Sequence, residues 1–564
     1  MRFLNNDMSS KIRNLYFVLA SFFFVFIIDF IYIDWFRINP ASIDPWLYWG
    51  TGEVFSYIKF HFSQTYYFRR WTINSVNYFF SGVFNPFLAI YFKNLFLLTI
   101  NFLISILLIF RITKSFFFSL IFLFFFIPAN YYLYSVGSNY SQATGIFFIN
   151  LLVLSTFYFD IKYKYKYFFI LGFIIFCALV TYQYLAYVIF CITFFWISIN
   201  YKFFISLNIK NFFFIILSIF VGLISGSFFE YLISLLLNVK WENFFIFSFK
   251  YYLSIIKEGN YSAPKDFYYK IFGIYSFIIP AVFISLTLLR ISLFIKNKNY
   301  LGFSCMLLCL TGYHLLDPLL GTNTTFFPQI NIYLFVFCLF GLILLLDFII
   351  KDYKILFKIF LVVFIFLLSL LIMNKINFTN NNLYVTILIT ILFLLIVFFL
   401  KKKLIKFLLI LFFIILYVQL LHKPGYHDKK LTIFDKRDDF KNYINKVSLE
   451  IKGATKKAID FDTSQPRRLW ILDNRPHEGW SNTISSLYGN YSAINLGYKN
   501  NTVECKQIDW ILMFPNSVLV IYGFDTESNS LIKLIDLFKP CGSFIFEKSI
   551  KIENAHTFTV KKIL

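Results

Sequence analysis

The chain has 564 residues, of which 59% are hydrophobic and only 14% are charged, whereas a soluble protein of this size carries roughly 25% charged residues. Its formal net charge is +23, but most of the lysines and arginines fall in short loops between long apolar runs. Composition therefore excludes a wholly soluble enzyme, argues against nucleic acid as a partner, and predicts a membrane protein with many spans.

Apolar runs of about 20 residues, the length that crosses a bilayer, recur between residues 14 and 421. They predict about thirteen transmembrane helices, at residues 14–33, 86–110, 115–134, 141–159, 167–182, 184–200, 212–237, 270–290, 301–316, 327–350, 355–373, 383–400 and 404–421. The fifth and sixth are either one long helix or a pair broken near Thr181, Tyr182 and Gln183. The first is interpreted as an uncleaved span, because no small-residue cleavage site follows it.

The distribution of basic residues predicts the orientation of these spans. With the N-terminus in the cytoplasm, the inside segments hold 20 lysines and arginines, and the much longer outside segments hold 10. The positive-inside rule favours this arrangement. It places two long outer loops, residues 34–85 and 238–269, on the extracytoplasmic face together with the C-terminal segment, although one span more or fewer would move that segment inside.

The C-terminal segment, residues 422–564, differs from the rest of the chain. It holds 37 of the 81 charged residues and no apolar run of spanning length, which predicts a soluble α/β domain after a membrane domain at residues 1–421. RRLWILD and SVLVIYGF predict strands, LIKLIDLF predicts a helix, and SFIFEKSIKI and HTFTVKKIL predict further strands. Cys505 and Cys541 are candidates for a disulfide if this domain faces an oxidising compartment.

The first outer loop contains the acids that first suggest chemistry. Asp44 lies in SIDPWLYWG, where the following proline favours an extended backbone that presents the side chain from a turn. One interpretation is a general base that takes a proton from an acceptor hydroxyl near the membrane. The other is an ordinary turn or capping residue. Glu53 follows nine residues later in the same loop.

Three cations close to the second span are candidates for binding a phosphate. Arg69 and Arg70 lie in TYYFRRW, just before that span, and an arginine can hold phosphate through two parallel hydrogen bonds. The alternative is that both side chains extend to lipid headgroups. Lys93 lies about two turns into the span. A charge at that depth is costly and faces a cavity or a partner, which predicts a contact with a lipid-linked phosphate.

Polar residues near the outer ends of later spans form a second group of candidates. His314 and Asp317, in TGYHLLDP, are three residues apart and share a helix face. Glu230 lies about two turns from the outer end of its span. His314 and Asp317 are either acceptor-binding or metal-associated groups, or a structural hydrogen-bonded pair. No CxxC or HExxH spacing occurs, so no cofactor is assigned, and a divalent metal stays an open possibility.

The arrangement resembles the GT-C type membrane glycosyltransferases, which include the protein mannosyltransferases and the aminoarabinose transferase of lipid A. The similar motifs are IDPWLYWG after the first span, TYYFRRW before the second, and ILGFIIFCALVTYQYLAYV at residues 170–188. They cover residues 14–200, and the remainder is similar in layout. The resemblance implies transfer of a sugar from a polyprenyl-phosphate donor, with Asp44 at the catalytic centre. Many members carry two adjacent acids there, and this chain has Asp44-Pro45.

The sequence therefore predicts a glycosyltransferase of a bacterial inner membrane that moves a sugar from a polyprenyl-phosphate donor to a lipid, glycan or protein acceptor on the outer face. Asp44 is the predicted catalytic residue. The predicted substrate-binding residues are Tyr48, Glu53, Tyr67, Arg69, Arg70, Lys93, His314 and Asp317. A flippase or a polymerase of lipid-linked oligosaccharide is the alternative, although the chain has no convincing internal repeat of the kind that transporters carry.

Overall fold

The structure is a computed structural model. It describes residues 10–31, 69–84, 86–124, 142–159, 164–236, 241–258, 278–319, 328–350, 468–473, 492–495, 518–522, 532, 535–536, 538–552 and 555–562.

The membrane domain is helical wherever it is described at length. Its helices are α1 (Ser10–Ile31), α2 (Trp71–Val83), α3 (Pro86–Thr113), α4 (Phe116–Phe124), α5 (Gln142–Ser155), α6 (Lys164–Thr181), α7 (Leu185–Ile199), α8 (Tyr201–Ile205), α9 (Ile209–Leu236), α10 (Phe244–Glu258), α11 (Ile278–Ile295), α12 (Lys298–Leu319) and α13 (Pro328–Ile350). Each predicted span up to residue 350 overlaps one of them, whereas α2, α8 and α10 lie outside the predicted spans, α2 within the predicted outer loop 34–85 and α10 within 238–269. The predicted spans at 355–373, 383–400 and 404–421 lie outside the described residues.

Three stretches within the described residues are long and apolar enough to cross a membrane: Tyr91–Thr113, Lys164–Thr181 and Ile209–Leu236. Shorter apolar helices accompany them in α1, α5, α7, α11 and α13. The chain is therefore a multi-pass membrane protein. The possible break between the fifth and sixth predicted spans is present, because α6 ends at Thr181 and α7 begins at Leu185.

Helix α13 forms the centre of the bundle. Its side chains from Ile332 to Leu346 are buried on every face of the helix, as expected for an element that is apolar all round. Phe340 stacks on Phe122 of α4 with ring centroids 4.9 Å apart, and it also meets Phe303 of α12. Near its C-terminal end, Asp347 accepts a hydrogen bond of 2.7 Å from the Tyr300 hydroxyl, which satisfies an otherwise costly buried acid.

Small residues allow α6 and α9 to pack closely together. A Cβ atom added to Gly172 of α6 would collide with the Ile219 carbonyl, and one added to Gly222 of α9 would collide with the Phe169 carbonyl. Gly226 lies against the Phe176 ring in the same way. Close approach at small residues is a common way for helices to associate in membranes, where the hydrophobic effect offers little gain.

This packing fixes which face of α9 turns inward. Gly222, Gly226 and Glu230 recur every four residues, so they lie on one face, and all three are buried. Most of the other large apolar side chains of α9 are exposed, as expected for a helix that faces lipid. Glu230 is therefore carried to the inner side of an otherwise lipid-facing helix.

Polar contacts join α3 to α5. Asn101 donates a hydrogen bond of 2.9 Å to the Ala143 carbonyl, and Asn150 donates one of 3.3 Å to the Ser105 hydroxyl. Side-chain hydrogen bonds of this kind link transmembrane helices without help from water.

Basic residues mark one end of the bundle. Arg13 of α1 lies 4.7 Å from the Phe110 ring centroid near the C-terminal end of α3, and Arg111 donates a hydrogen bond of 3.1 Å to the Tyr158 hydroxyl. Lys114 closes α3 with a left-handed backbone, at φ 56°. Burial lowers the pKa of Lys114, and the charges of Arg111 and Arg13 lower it further. These residues belong to the segments that the sequence places in the cytoplasm.

The C-terminal segment contains a five-stranded sheet with the order β2-β1-β3-β5-β4. Its strands are β1 (Arg468–Asp473), β2 (Ser492–Asn495), β3 (Val518–Tyr522), β4 (Phe544–Ile552) and β5 (Ala555–Lys562). Strands β2, β1 and β3 are parallel, and β5 and β4 continue the sheet antiparallel. The four predicted strands are present, and β2 is an addition. Of the predicted helix LIKLIDLF, the structure describes Ile532, Ile535, Asp536 and Phe538, and all four are helical.

The cysteines divide as their surroundings suggest. Cys541 is disulfide-bonded, whereas the five cysteines of the apolar runs are free thiols. Cys505, the partner that the sequence suggests, lies outside the described residues, so the identity of the pair stays a prediction.

Candidate active site

The two adjacent arginines of TYYFRRW lie at the N-terminal end of α2. The Arg70 carbonyl accepts the first hydrogen bonds of the helix, from the amides of Ile73 (2.9 Å) and Asn74 (3.0 Å). Both side chains are buried. The two side chains contact different neighbours, Glu230 in the case of Arg69 and Tyr182 in the case of Arg70.

Arg69 is held by an acid and a carbonyl. Its Nη2 donates a hydrogen bond of 3.1 Å to Oε1 of Glu230 and another to the Glu242 carbonyl. The guanidinium lies 4.3 Å from the Phe247 ring centroid and 5.9 Å from that of Trp241. Burial lowers the pKa of Arg69, and Glu230 and Glu242 oppose that shift. Arg69 therefore already forms an ion pair with a carboxylate of the protein.

Arg70 enters a cluster of tyrosines instead. Its guanidinium carbon lies 5.1 Å from the Tyr182 ring centroid, in the turn between α6 and α7. The hydroxyl of Tyr333 in α13 lies against the backbone of Gly145 in α5, where a Cβ atom would collide with it, and the Leu185 side chain at the start of α7 borders the same position.

The cluster continues to His314 of α12. Tyr187 stacks on Tyr313 with centroids 4.1 Å apart and an interplanar angle of 10°. The His314 ring lies 6.2 Å from each of these two rings. Tyr182 and Tyr187 lie five residues apart around the start of α7, so this short stretch contacts Arg70 through Tyr182 and His314 through Tyr187.

The hydrogen bond of His314 defines its tautomer. Nδ1 lies 2.8 Å from the Leu310 carbonyl, which can only accept, so Nδ1 carries the proton. In the neutral ring Nε2 is then the basic nitrogen. Asp317, three residues further along α12, is also buried.

The hairpin of α2 and α3 contributes a second set of buried polar groups. Asn74 and Asn77 of α2 and Lys93 and Asn94 of α3 are all at most 3% exposed. Lys93 is therefore inside the protein and does not face lipid, as expected for a charge at this depth.

The remaining predicted site residues, Asp44, Tyr48, Glu53 and Tyr67, lie outside the described residues, and their roles stay predictions. The sequence did not single out Glu242, Trp241 or the tyrosines at 187, 313 and 333. Their signal was present but faint, because aromatic residues at helix ends occur throughout this chain. Within the described residues, no group of three or more His, Cys, Asp or Glu side chains is placed to hold a metal ion.

No protein-family model matches the chain, and no curated protein matches it either. Among solved structures, the chain is similar to the crystal structure of ArnT from Cupriavidus metallidurans bound to undecaprenyl phosphate. The TM-score is 0.49 and the sequence identity 11%, with 96% of this chain and 97% of that chain covered. ArnT is an aminoarabinose transferase of the GT-C class.

Proposed function

We propose that this protein is a GT-C type glycosyltransferase that moves a sugar from a polyprenyl-phosphate donor to a cell-envelope acceptor on the outer face of a bacterial inner membrane. One observation carries this proposal. Arg70, at the N-terminus of α2, is buried against Tyr182, and His314 lies beside Tyr187, so both residues meet the same short stretch around the start of α7.

The first step of the proposal is recognition of the donor phosphate by Arg70 and Lys93. A guanidinium forms two parallel hydrogen bonds to phosphate, and the tyrosine ring behind Arg70 holds its plane in place. The N-terminus of α2 adds partial positive charge beside it. Both cations are buried, where their attraction for an anion is stronger than in water.

Sugar transfer then requires a base and a stabilised leaving group. The acceptor hydroxyl oxygen attacks the anomeric carbon of the sugar, and Asp44 takes the hydroxyl proton. The bond from that carbon to the phosphate oxygen breaks, and the polyprenyl phosphate leaves with the electron pair. Arg70 and Lys93 stabilise the charge that develops on it.

The other predicted residues act around this step. Tyr48 and Tyr67 of the first outer loop stack on the sugar, and Glu53 accepts hydrogen bonds from it. His314 and Asp317 bind the acceptor, with Nε2 of His314 as a hydrogen-bond acceptor. Arg69 acts as a positioning residue, because its bond to Glu230 ties the start of α2 to α9.

The experiment compares the surface glycans of cells that lack the gene, of cells with the wild-type gene and of cells that produce Asp44→Asn, by mass spectrometry. The deletion and Asp44→Asn are both expected to remove a single sugar residue while the variant protein is made at normal levels. Retained transfer by Asp44→Asn would refute the assignment of the base. Shortened chains would indicate a polymerase, and accumulated lipid-linked intermediates a transporter.

A further inference from the structure

A cavity of about 400 Å³ opens beside α9, outside the tyrosine cluster, and both exposed side chains of that helix and the buried Glu230 line it. Its walls come from α9, from residues 241–243 and from the start of α10. The lining of α9 runs from Phe220 to Tyr231, which corresponds to about 16 Å along the helix axis. The cavity is therefore long enough for the upper part of a lipid.

The two ends of the cavity differ in chemistry. Phe220 and Ile224 line the end that is deeper in the membrane, and both are exposed on the protein surface. Glu230, Trp241, Glu242 and Asn243 line the other end. This polar end coincides with the end of the bundle that holds Arg69 and Arg70. An apolar end followed by a polar end with an aromatic ring matches a lipid whose head lies at the interface.

The charges indicate which head group fits. The charged side chains that line the cavity are Glu230 and Glu242, both acids. Their cationic partners, Arg69 and Lys250, are not part of the lining. The lining therefore presents carboxylate acceptors and no cation to bind a phosphate, whereas the hydroxyl groups of a sugar can donate hydrogen bonds to these acceptors. Trp241 and Phe245 provide flat apolar faces for a sugar ring.

We propose that this cavity binds a membrane lipid with an uncharged, hydroxyl-rich head group, and that this lipid is the acceptor of the transferred sugar. The lipid chain follows Phe220 and Ile224, and the head meets Glu230, Glu242 and Trp241. The acceptor role rests on the proposed function, and it is supported by continuity between the sites: Glu230 lines the cavity and binds Arg69, whose neighbour in the chain is Arg70.

The test measures lipid binding without any transfer reaction. Full-length protein in nanodiscs is mixed with a monoglycosyl diacylglycerol that carries a photoreactive diazirine in one acyl chain. The comparison lipid is phosphatidic acid with the same chains. After illumination, the labelled peptides are identified by mass spectrometry. We expect residues 220–231 to be labelled roughly tenfold more by the glycolipid than by the phosphatidic acid, a ratio that corresponds to about 1.4 kcal/mol.

Two variants of one helix separate a built site from ordinary lipid contact. Ser227→Trp places a large ring in the cavity and is expected to reduce labelling roughly tenfold, the scale of one well-packed contact. Ser218→Trp makes the same change on α9 outside the cavity lining and is expected to leave labelling unchanged. Trp241→Ala, on a different segment, is expected to weaken labelling as well, so the result does not depend on one variant folding correctly.

Equal labelling by both lipids would overturn the preference for an uncharged head group. Unchanged labelling of Ser227→Trp would show that the lipid contacts the surface of α9 without binding in the cavity. Competition by a free monosaccharide as strong as by the glycolipid would overturn the lipid as occupant. A failure of the proposed function looks different, because the labelling pattern would then be as expected while the surface glycans of Asp44→Asn cells matched the wild type.

Discussion

Nη2 of Arg69 lies 3.1 Å from Oε1 of Glu230, a residue 161 positions further along the chain. Both side chains are almost completely buried, at 2% and 3% exposure. The pair joins the start of α2, where Arg70 is proposed to bind phosphate, to the inner face of a helix that otherwise faces lipid. An ion pair in this position fixes how α2 and α9 sit relative to each other.

Removal of one partner from this pair is expected to destabilise the protein strongly. Glu230→Gln leaves the Arg69 charge buried without its carboxylate, at a cost of about 3–5 kcal/mol. The thermal unfolding midpoint in detergent, followed by intrinsic fluorescence, should fall well below that of the wild type. The double variant Arg69→Met with Glu230→Leu should recover most of the loss, because it replaces the buried charges by apolar groups of similar size.

A matched control uses the second ion pair of the same region. Lys250 binds Glu242, and its side chain is 65% exposed. Lys250→Gln is therefore expected to change the free energy of unfolding by at most about 1 kcal/mol. Equal losses for Glu230→Gln and Lys250→Gln would contradict a special role for the buried pair.

Glycine substitutions test the close packing of α6 on α9. Gly222→Ala places a methyl group against the Phe169 carbonyl, so the helices must separate, at a cost of about 1–3 kcal/mol. Gly312→Ala makes the same change in α12 where no atom lies within 4 Å, and it is expected to be neutral or to stabilise by about 0.5–1 kcal/mol. Thermal unfolding of both variants, measured side by side, decides the matter. A stable Gly222→Ala protein would mean that α6 and α9 can separate freely.

The sequence was sufficient for features that depend on local pattern. Apolar length located α1, α3 to α7, α9 and α11 to α13, but not α2, α8 or α10. Apolar centres located β1 and β3, and alternation located β4 and β5, whereas the four residues of β2 are too few to show a period. The tyrosine cluster could not be predicted, because Tyr187, Tyr313 and Tyr333 come from three helices whose packing no single segment encodes. Glu230 stands out in the sequence as an acid within a span. Its partner Arg69 could not be predicted, because it comes from a different segment of the chain.

Arg70 and Arg111 provide a comparison of two stacked arginines at opposite ends of the bundle. Arg70→Gln removes a proposed phosphate-binding cation, and the rate of sugar transfer in proteoliposomes should fall at least about a hundredfold, since a lost electrostatic contact to the leaving group costs about 2.7–4 kcal/mol. Arg70→Lys should recover little, because a lysine lacks the planar fork that binds phosphate in two places.

Arg111 lies over the Tyr158 ring at 4.6 Å, in a segment that the sequence places in the cytoplasm. Arg111→Gln is therefore expected to leave the transfer rate unchanged. A loss of activity in both variants, with equal loss of unfolding temperature, would indicate that the arginines only support the fold.

The disulfide of Cys541 tests the orientation of the C-terminal segment. Disulfides persist in oxidising compartments, so a bonded Cys541 is expected if this segment lies outside the cytoplasm. When the denatured protein is treated with a maleimide-linked polymer, five of its seven cysteines should react before reduction and all seven after it. Cys505→Ser should give six reactive thiols under both conditions, because it frees Cys541 if the two residues are partners.

An alkaline phosphatase fused after Leu564 should be active in the same cells, since that enzyme also needs disulfides. Seven reactive thiols without reduction, together with an inactive fusion, would place the segment in the cytoplasm, and the number of spans after residue 350 would then have to be even.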